Sequence, residues 1–282
     1  MNSASRAVLV TGASTGIGYA AAVSLAASGY AVYAGVRGES DAQRLRSAHP
    51  SIEPLLLDVT NANDIAAAAQ HIKSRATPLH GVINNAGIAV AGPLEYLPVD
   101  EVRRQFEVNV FGALAVTQAV LPLLRESRGR VVFVSSVSGQ IAPPYIGPYA
   151  ASKFALEAMA DALRMELSAF GIAVSVIQPG NVKTPIWQKG RDAKDAMVAM
   201  LPQIAITHYG QAIDAVTRVT QREEQTGIDA AVVAAAIERA LTDAQPKARY
   251  PVGDPPGWQR RMASLLPERW RDKLVLRAFE RA

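Results

Sequence analysis

Apolar residues fall along this chain in two alternating textures. Short unbroken runs take turns with longer stretches in which apolar positions recur every three or four residues. The runs at residues 7–10, 31–36, 52–57, 131–135 and 173–177 read as strands, and Val82 and Ile83 mark a short one between the third and the fifth. The helical pattern covers about residues 16–28, 65–74, 99–124 (with Pro122 near its end) and 149–169. A strand that is apolar at every position has no face left for water, which is the condition of a parallel sheet covered on both sides. The pattern therefore predicts an α/β protein with a doubly wound Rossmann fold: a parallel sheet of about seven strands with helices on both faces.

After Pro179 the texture changes. Residues 182–227 carry Trp187, Met197, Met200, Leu201, Ile204, Ile206 and Tyr209 but no strand signal. A helix returns over 228–241, with Asp229 near its start, and residues 249–252 read as an edge strand. Past the turn Asp254-Pro255-Pro256-Gly257, Trp258, Met262, Leu266, Trp270 and Leu274 repeat every four residues. Pro267 interrupts that stripe and predicts the start of a second short helix, because proline is tolerated in a first turn. The expected organisation is one domain over 1–282, with a core at 5–185, a lid at 186–227 and a helical C-terminal extension at 254–282.

Composition narrows the function classes. A 282-residue chain, 49% hydrophobic and 19% charged, can bury a large core without covalent staples. Cysteine is absent, which removes disulfides, thiolate nucleophiles and sulfur-ligated zinc. His49, His71, His80 and His208 are too scattered to make a helical metal pair, so no metal site is expected. The N-terminus lacks the apolar core of a signal peptide, and no run of about 20 uninterrupted apolar residues occurs, so a cytoplasmic protein without a spanning helix is expected. The net charge of +4 is carried by the tail. There Arg260, Arg261, Arg269, Arg271, Lys273, Arg277 and Arg281 outnumber the acids, and a charge so confined argues against nucleic-acid binding. The tail reads as an amphipathic helix docked on this molecule or a partner subunit, with contact to an anionic membrane surface as the alternative.

Two motifs carry chemistry. The first strand runs into Thr11-Gly12-Ala13-Ser14-Thr15-Gly16-Ile17-Gly18, followed by a helix. Glycines there let a diphosphate approach the backbone, and the helix N-terminus offers free amides to the anion. A glycine-rich turn needed only for packing shares this spacing. No GxxxxGK[ST] pattern is present, which disfavours a nucleoside triphosphatase. The second motif is Tyr149-Ala150-Ala151-Ser152-Lys153, which puts a phenol and an ammonium one helical turn apart. A neighbouring cation favours phenolate and makes tyrosine able to exchange a proton with a substrate oxygen. Alone, the pair is equally an exposed helical pair.

The neighbours of these motifs decide between the readings. Ser135-Ser136-Val137-Ser138-Gly139, Asn84-Asn85-Ala86-Gly87 and Gln178-Pro179-Gly180 each end a strand, and Asn109 lies in the long helix. In an open parallel sheet such strand ends meet at one rim, where ligands bind. As a set these motifs resemble the short-chain dehydrogenase/reductase family over about residues 5–185, with an overall character similar to its hydroxysteroid and retinol dehydrogenase branch. The resemblance implies a nicotinamide-dependent oxidoreductase that interconverts an alcohol and a ketone. Tyr149 would be the general acid–base, Lys153 its activator and a holder of the nicotinamide ribose, Ser136 a donor to the substrate oxygen, and Asn109 a link from Lys153 to solvent through water. It further implies that Asn85, Ala86 and Gly87 flank the adenine-side ribose and that Asp58 and Val59 contact adenine. Pro179, Gly180, Val182 and Thr184 would position the carboxamide.

At the end of the second strand Val36 stands where an acid would hold the ribose 2′-hydroxyl of NAD, and Arg37 follows it. Arginine suits a 2′-phosphate, and Ser14 and Thr15 add hydroxyl donors, so NADP(H) is favoured with NAD(H) as the alternative. Ser138, Tyr145, Ile186 and Trp187 are the candidate substrate contacts, and their character predicts a fairly apolar alcohol or ketone. The family resemblance also implies a homodimer or homotetramer. The competing function is a non-catalytic dinucleotide-binding regulator on the same fold.

Overall fold

The first strand, β1 (Ala7–Val10), shows why the apolar runs do not alternate. Val8 and Val10 point into one core layer, Ala7 and Leu9 into the other, and all four are at most 1% exposed. The computed structural model describes residues 6–186, 198, 201–253 and 266–280. Among them β1, β2 (Ala31–Val36), β3 (Ile52–Leu56), β4 (Leu79–Asn84), β5 (Arg130–Val134), β6 (Ala173–Pro179) and β7 (Arg249–Val252) form one parallel sheet in the order β3-β2-β1-β4-β5-β6-β7. The order reverses between β1 and β4, and a crevice opens at such a point beyond the carboxyl ends of the strands.

One face is covered by α1 (Gly16–Ala27), α2 (Glu39–Ala48) and, from far along the chain, α8 (Ala230–Thr242). Leu25, Leu45, Ile237 and Leu241 fill that layer. The other face is covered by α3 (Ala62–Lys73), α5 (Ala113–Ser127) and α6 (Gly147–Leu167), whose Ile72, Leu124 and Leu156 meet Phe133 of the sheet. Each fully buried side chain of this size contributes about 2 kcal/mol. Also described are α4 (Val99–Phe106), α7 (Gln203–Thr226) and α9 (Glu268–Glu280). Asn61 and Asp229 cap α3 and α8 by accepting from the amides of Asn63 and Ala231 at 2.9 and 2.8 Å.

Four differences from the sequence expectation have physical causes. The fourth strand is six residues long, because Leu79 and Gly81 pair with β1 although the polar His80 between them breaks the apolar run. Helix α2 left no readable stripe, since only Ala42 and Leu45 of its ten residues are buried. The stretch expected as one helix over 99–124 contains a wide π turn, Glu107–Gly112, between α4 and α5. There Gly112 presses so close to Val59 that a Cβ would lie 2.8 Å from the Val59 carbonyl oxygen. By length and composition Val99–Ser127 could cross a membrane, but half of its apolar window is buried in the fold. Finally, α9 begins at Glu268, and the carbonyl of Pro267 accepts from Trp270 and Arg271, so the proline caps the helix from just outside.

Trp187, Met197, Met200, Trp258 and Met262 lie outside the described residues. Of the described tail stripe, Trp270 is 68% and Leu274 52% exposed.

Candidate active site

Two loops at the switch point hold each other in place. The Thr11 hydroxyl accepts from the amides of Asn85 and Ala86, both at 3.0 Å, and the Asn85 side-chain amide donates back to the carbonyls of Thr11 and Gly12 at 3.0 and 3.1 Å. This brace leaves no room for side chains at the glycines. A Cβ on Gly12 would sit 2.7 Å from the Cα of Ala86, and one on Gly18 would sit 2.3 Å from the Gly12 carbonyl oxygen. Gly12 and Gly16 also have φ of +63° and +57°, where an L side chain is strained. Thr15 precedes α1 without capping it through its side chain, so the first amides of that helix face the loop. An uncapped helix N-terminus beneath a glycine cradle fits a diphosphate.

A cleft of about 360 Å³ runs from this loop along the strand ends. Gly12, Ser14, Thr15, Gly16, Ile17, Arg37, Asp58, Val59, Asn85, Ala86, Gly87, Ser136, Tyr149, Lys153, Pro179, Gly180, Val182, Thr184 and Ile186 all line it. Gly18 lies behind the loop, Asn109 behind the wall, and Ser138 and Tyr145 outside the lining. The cleft also takes in Leu57, Ile88, Ala89, Arg104, Val108, Ser135 and Pro185, which the sequence reading did not single out. Val108 and Arg104 had a readable signal: they stand one and five residues before Asn109, on the helix that brings it to the rim.

The pair at the centre is buried. Tyr149 is 7% and Lys153 5% exposed, and the Lys153 ammonium lies 5.6 Å from the Tyr149 ring centre. Lys153 Nζ donates to the Val134 carbonyl at 2.8 Å. Burial pulls its pKa down from 10.5 to about 8, against the raising influence of Glu157. Ser136, at the end of β5, has its Oγ accepting from the Ser138 amide at 3.1 Å. Ser138 therefore acts on the site through its backbone.

Asn109 works from behind. Its side-chain oxygen accepts from the Ile88 amide at 2.9 Å, and its amide donates to the Ile88 carbonyl and to Ser152 Oγ, both at 3.1 Å. Ser152 passes the connection to the Tyr149 carbonyl at 2.7 Å. Gln105, wholly buried, ties down the same loop by bonding Ile88 and Val90, both at 2.7 Å. In this arrangement Asn109 fixes the wall and the first turn of α6.

On the adenosine side, Asp58 turns to Thr60, whose hydroxyl and amide donate to it at 2.7 and 2.9 Å. Those bonds, helped by the charge of Arg37, hold its carboxyl below the usual range. Arg44, on the helix that the sequence did not reveal, donates to the Ser14 carbonyl and lies over the Tyr19 ring. Arg44 thus reaches the phosphate loop while paired with Asp41 at 2.8 Å.

Comparison with known proteins agrees with the geometry. The short chain dehydrogenase family model matches residues 6–195. Retinol dehydrogenase 5 of Mus musculus is 37% identical over 281 residues, covering 95% of this chain and 87% of that protein. The NADPH-dependent 3-dehydrocapnine reductase of Ornithobacterium rhinotracheale is 34% identical, covering 98% of both. The crystal structure of a short-chain dehydrogenase/reductase from Burkholderia phymatum in complex with NAD is 25% identical, with a TM-score of 0.76 over 87% of this chain and 88% of that one. The chain belongs to the short-chain dehydrogenase/reductase family of oxidoreductases, and within it is similar to the retinol dehydrogenases.

Proposed function

We propose that this protein transfers hydride between NADP(H) and an apolar alcohol or ketone, with Tyr149 as general acid–base. The observation that carries the reading is the buried Tyr149–Lys153 pair on one wall of the cleft, with Ser136 in the same lining. Bound nicotinamide supplies or accepts the hydride. In reduction, the Tyr149 hydroxyl gives its proton to the carbonyl oxygen as hydride reaches the carbonyl carbon. In oxidation the phenolate takes that proton back. The Lys153 ammonium stabilises the phenolate, and the Ser136 hydroxyl donates to the substrate oxygen as charge develops there.

Support for NADP(H) comes from Val36 in place of an acid, from Arg37 in the cleft, and from Arg44 on Ser14. The relative from Ornithobacterium is named as NADPH-dependent, which points the same way. An apolar substrate is supported by Ile186 and Pro185 in the cleft lining, with Tyr145, Ser138 and Trp187 proposed around it. Homo-oligomerisation through the helices beside the site is supported by Phe111 and Phe154, which are 53% and 42% exposed. The test is a panel of apolar ketones and alcohols followed at nicotinamide absorbance with NADPH and NADH. Turnover with NADPH is expected. Cofactor binding without turnover across the panel would turn the reading toward a regulator, and a preference for NADH would remove the role given to Arg37.

A further inference from the structure

Lys153 presents an electrostatic problem that the mechanism leaves open. Its ammonium is buried, and the acceptor that holds it is a neutral backbone carbonyl. A buried cation needs a counter-charge. One turn further along α6, on the stripe that carries Tyr149 and Lys153, stands Glu157, itself 6% exposed. Its carboxylate is held on both oxygens: Oε1 accepts from Gln178 Nε2 of β6 and Oε2 from Arg249 Nε of β7, both at 2.9 Å. Arg249 is fixed in turn by Asp161, at 2.7 Å, which also pairs with Arg164.

We propose that Glu157 is a positioning residue for the reaction: its pinned carboxylate keeps the Lys153 ammonium charged beside Tyr149, and Arg249 of the edge strand sets how much of that carboxylate's field Lys153 receives. The proposal rests on the reading of Tyr149 and Lys153 as the reacting pair. Alternating charges thus run from the cleft to the sheet edge, in the order Lys153, Glu157, Arg249, Asp161. The neighbouring elements offer Lys153 no comparable partner. Gln178 of β6 is neutral, Asn109 of the π turn is bonded to Ser152, Glu107 is exposed, and Arg104 of α4 is paired with Glu101. Among the described residues Glu157 is the charge that acts on Lys153, and it raises a pKa that burial has brought to about 8. So close to neutrality, one neighbouring carboxylate changes the fraction of Lys153 that is charged.

The test uses the full chain labelled with [13Cε]lysine, its Lys153 signal identified by loss in Lys153→Arg, and follows the titration by NMR without substrate. Glu157→Gln preserves the shape and removes the charge. The Lys153 midpoint is expected to fall by about one pH unit. The alkaline decline of kcat should begin about one unit earlier, with KM for NADPH unchanged. Arg249→Gln leaves Glu157 less neutralised and is expected to move the midpoint upward, which keeps the proposal testable if Glu157→Gln does not fold. Midpoints unmoved in the variants that fold overturn the proposal, whatever happens to turnover. If the midpoints shift as described while Tyr149→Phe keeps full activity, the reacting-pair reading fails and the charge coupling stands.

Discussion

The carboxyl rim of the sheet and the C-terminal third of the chain are built on different terms. At the rim, Thr11, Asn85, Gln105 and Asn109 each bond more than one group, most of them backbone atoms of neighbouring loops. In the C-terminal third, α7 and α9 meet solvent with Ile204, Trp270, Leu274 and Leu276. There the Tyr209 hydroxyl reaches Glu95 through one exposed bond at 2.7 Å, within a cluster of edge-on rings formed with Tyr96 and Tyr145. On the proposed function, a proton and a hydride must be placed to within a fraction of an ångström, whereas an apolar substrate needs only to be covered. Over-determined bonding belongs with the first task and adaptable surface with the second.

That contrast can be broken experimentally, most forcefully at the phosphate loop. Gly18→Ala places a methyl group against the Gly12 carbonyl and the Asn85 amide, so the loops must part. NADPH affinity by calorimetry is expected to fall about 100-fold or more. Next comes Lys153→Met. The folded-state pKa of Lys153 is lowered to about 8. The unfolded chain therefore holds the extra proton from about pH 8 to 10.5, and the folded state gains stability as pH rises through that window. Below pH 8 both states are charged and the desolvation cost is constant. Denaturation of wild type and Lys153→Met across that window should show the wild type gaining roughly 3 kcal/mol relative to the variant. Arg37→Ala should lower the NADPH over NADH preference in kcat/KM about 10- to 100-fold, and Arg44→Ala should lower it by a smaller factor. At the mild end, Tyr209→Phe removes the exposed bond to Glu95. It is expected to change substrate KM by less than about threefold and to leave kcat alone. A large fall in kcat there would place Tyr209 in the chemical step and erase the contrast.

The same division governs what could be read from the sequence. Strand positions were legible because burial on both faces leaves a local record in the chain, as at β1 and β5. The cleft lining was legible where glycines and strand ends mark it, as at Gly12, Gly16 and Gly180. The π turn left no such record, since its cause is tertiary: Asn109 reaching Ile88 and Ser152, and Gly112 meeting Val59. Arg44, Glu157 and Arg249 were illegible for a related reason. Each is an ordinary charged residue until the fold brings Arg44 to Ser14 and Arg249 of β7 to Glu157 of α6. Helix α2 hid because so little of it is buried.

The account stands on a phenol that trades a proton with substrate, and Tyr149→Phe tests this with both readouts on one preparation. NADPH binding, followed by fluorescence, is expected to stay within about twofold of wild type, while kcat on the best ketone of the panel falls by about a thousandfold. If kcat survives the loss of the hydroxyl with the cofactor still bound, the proton moves by another route and the central claim is wrong.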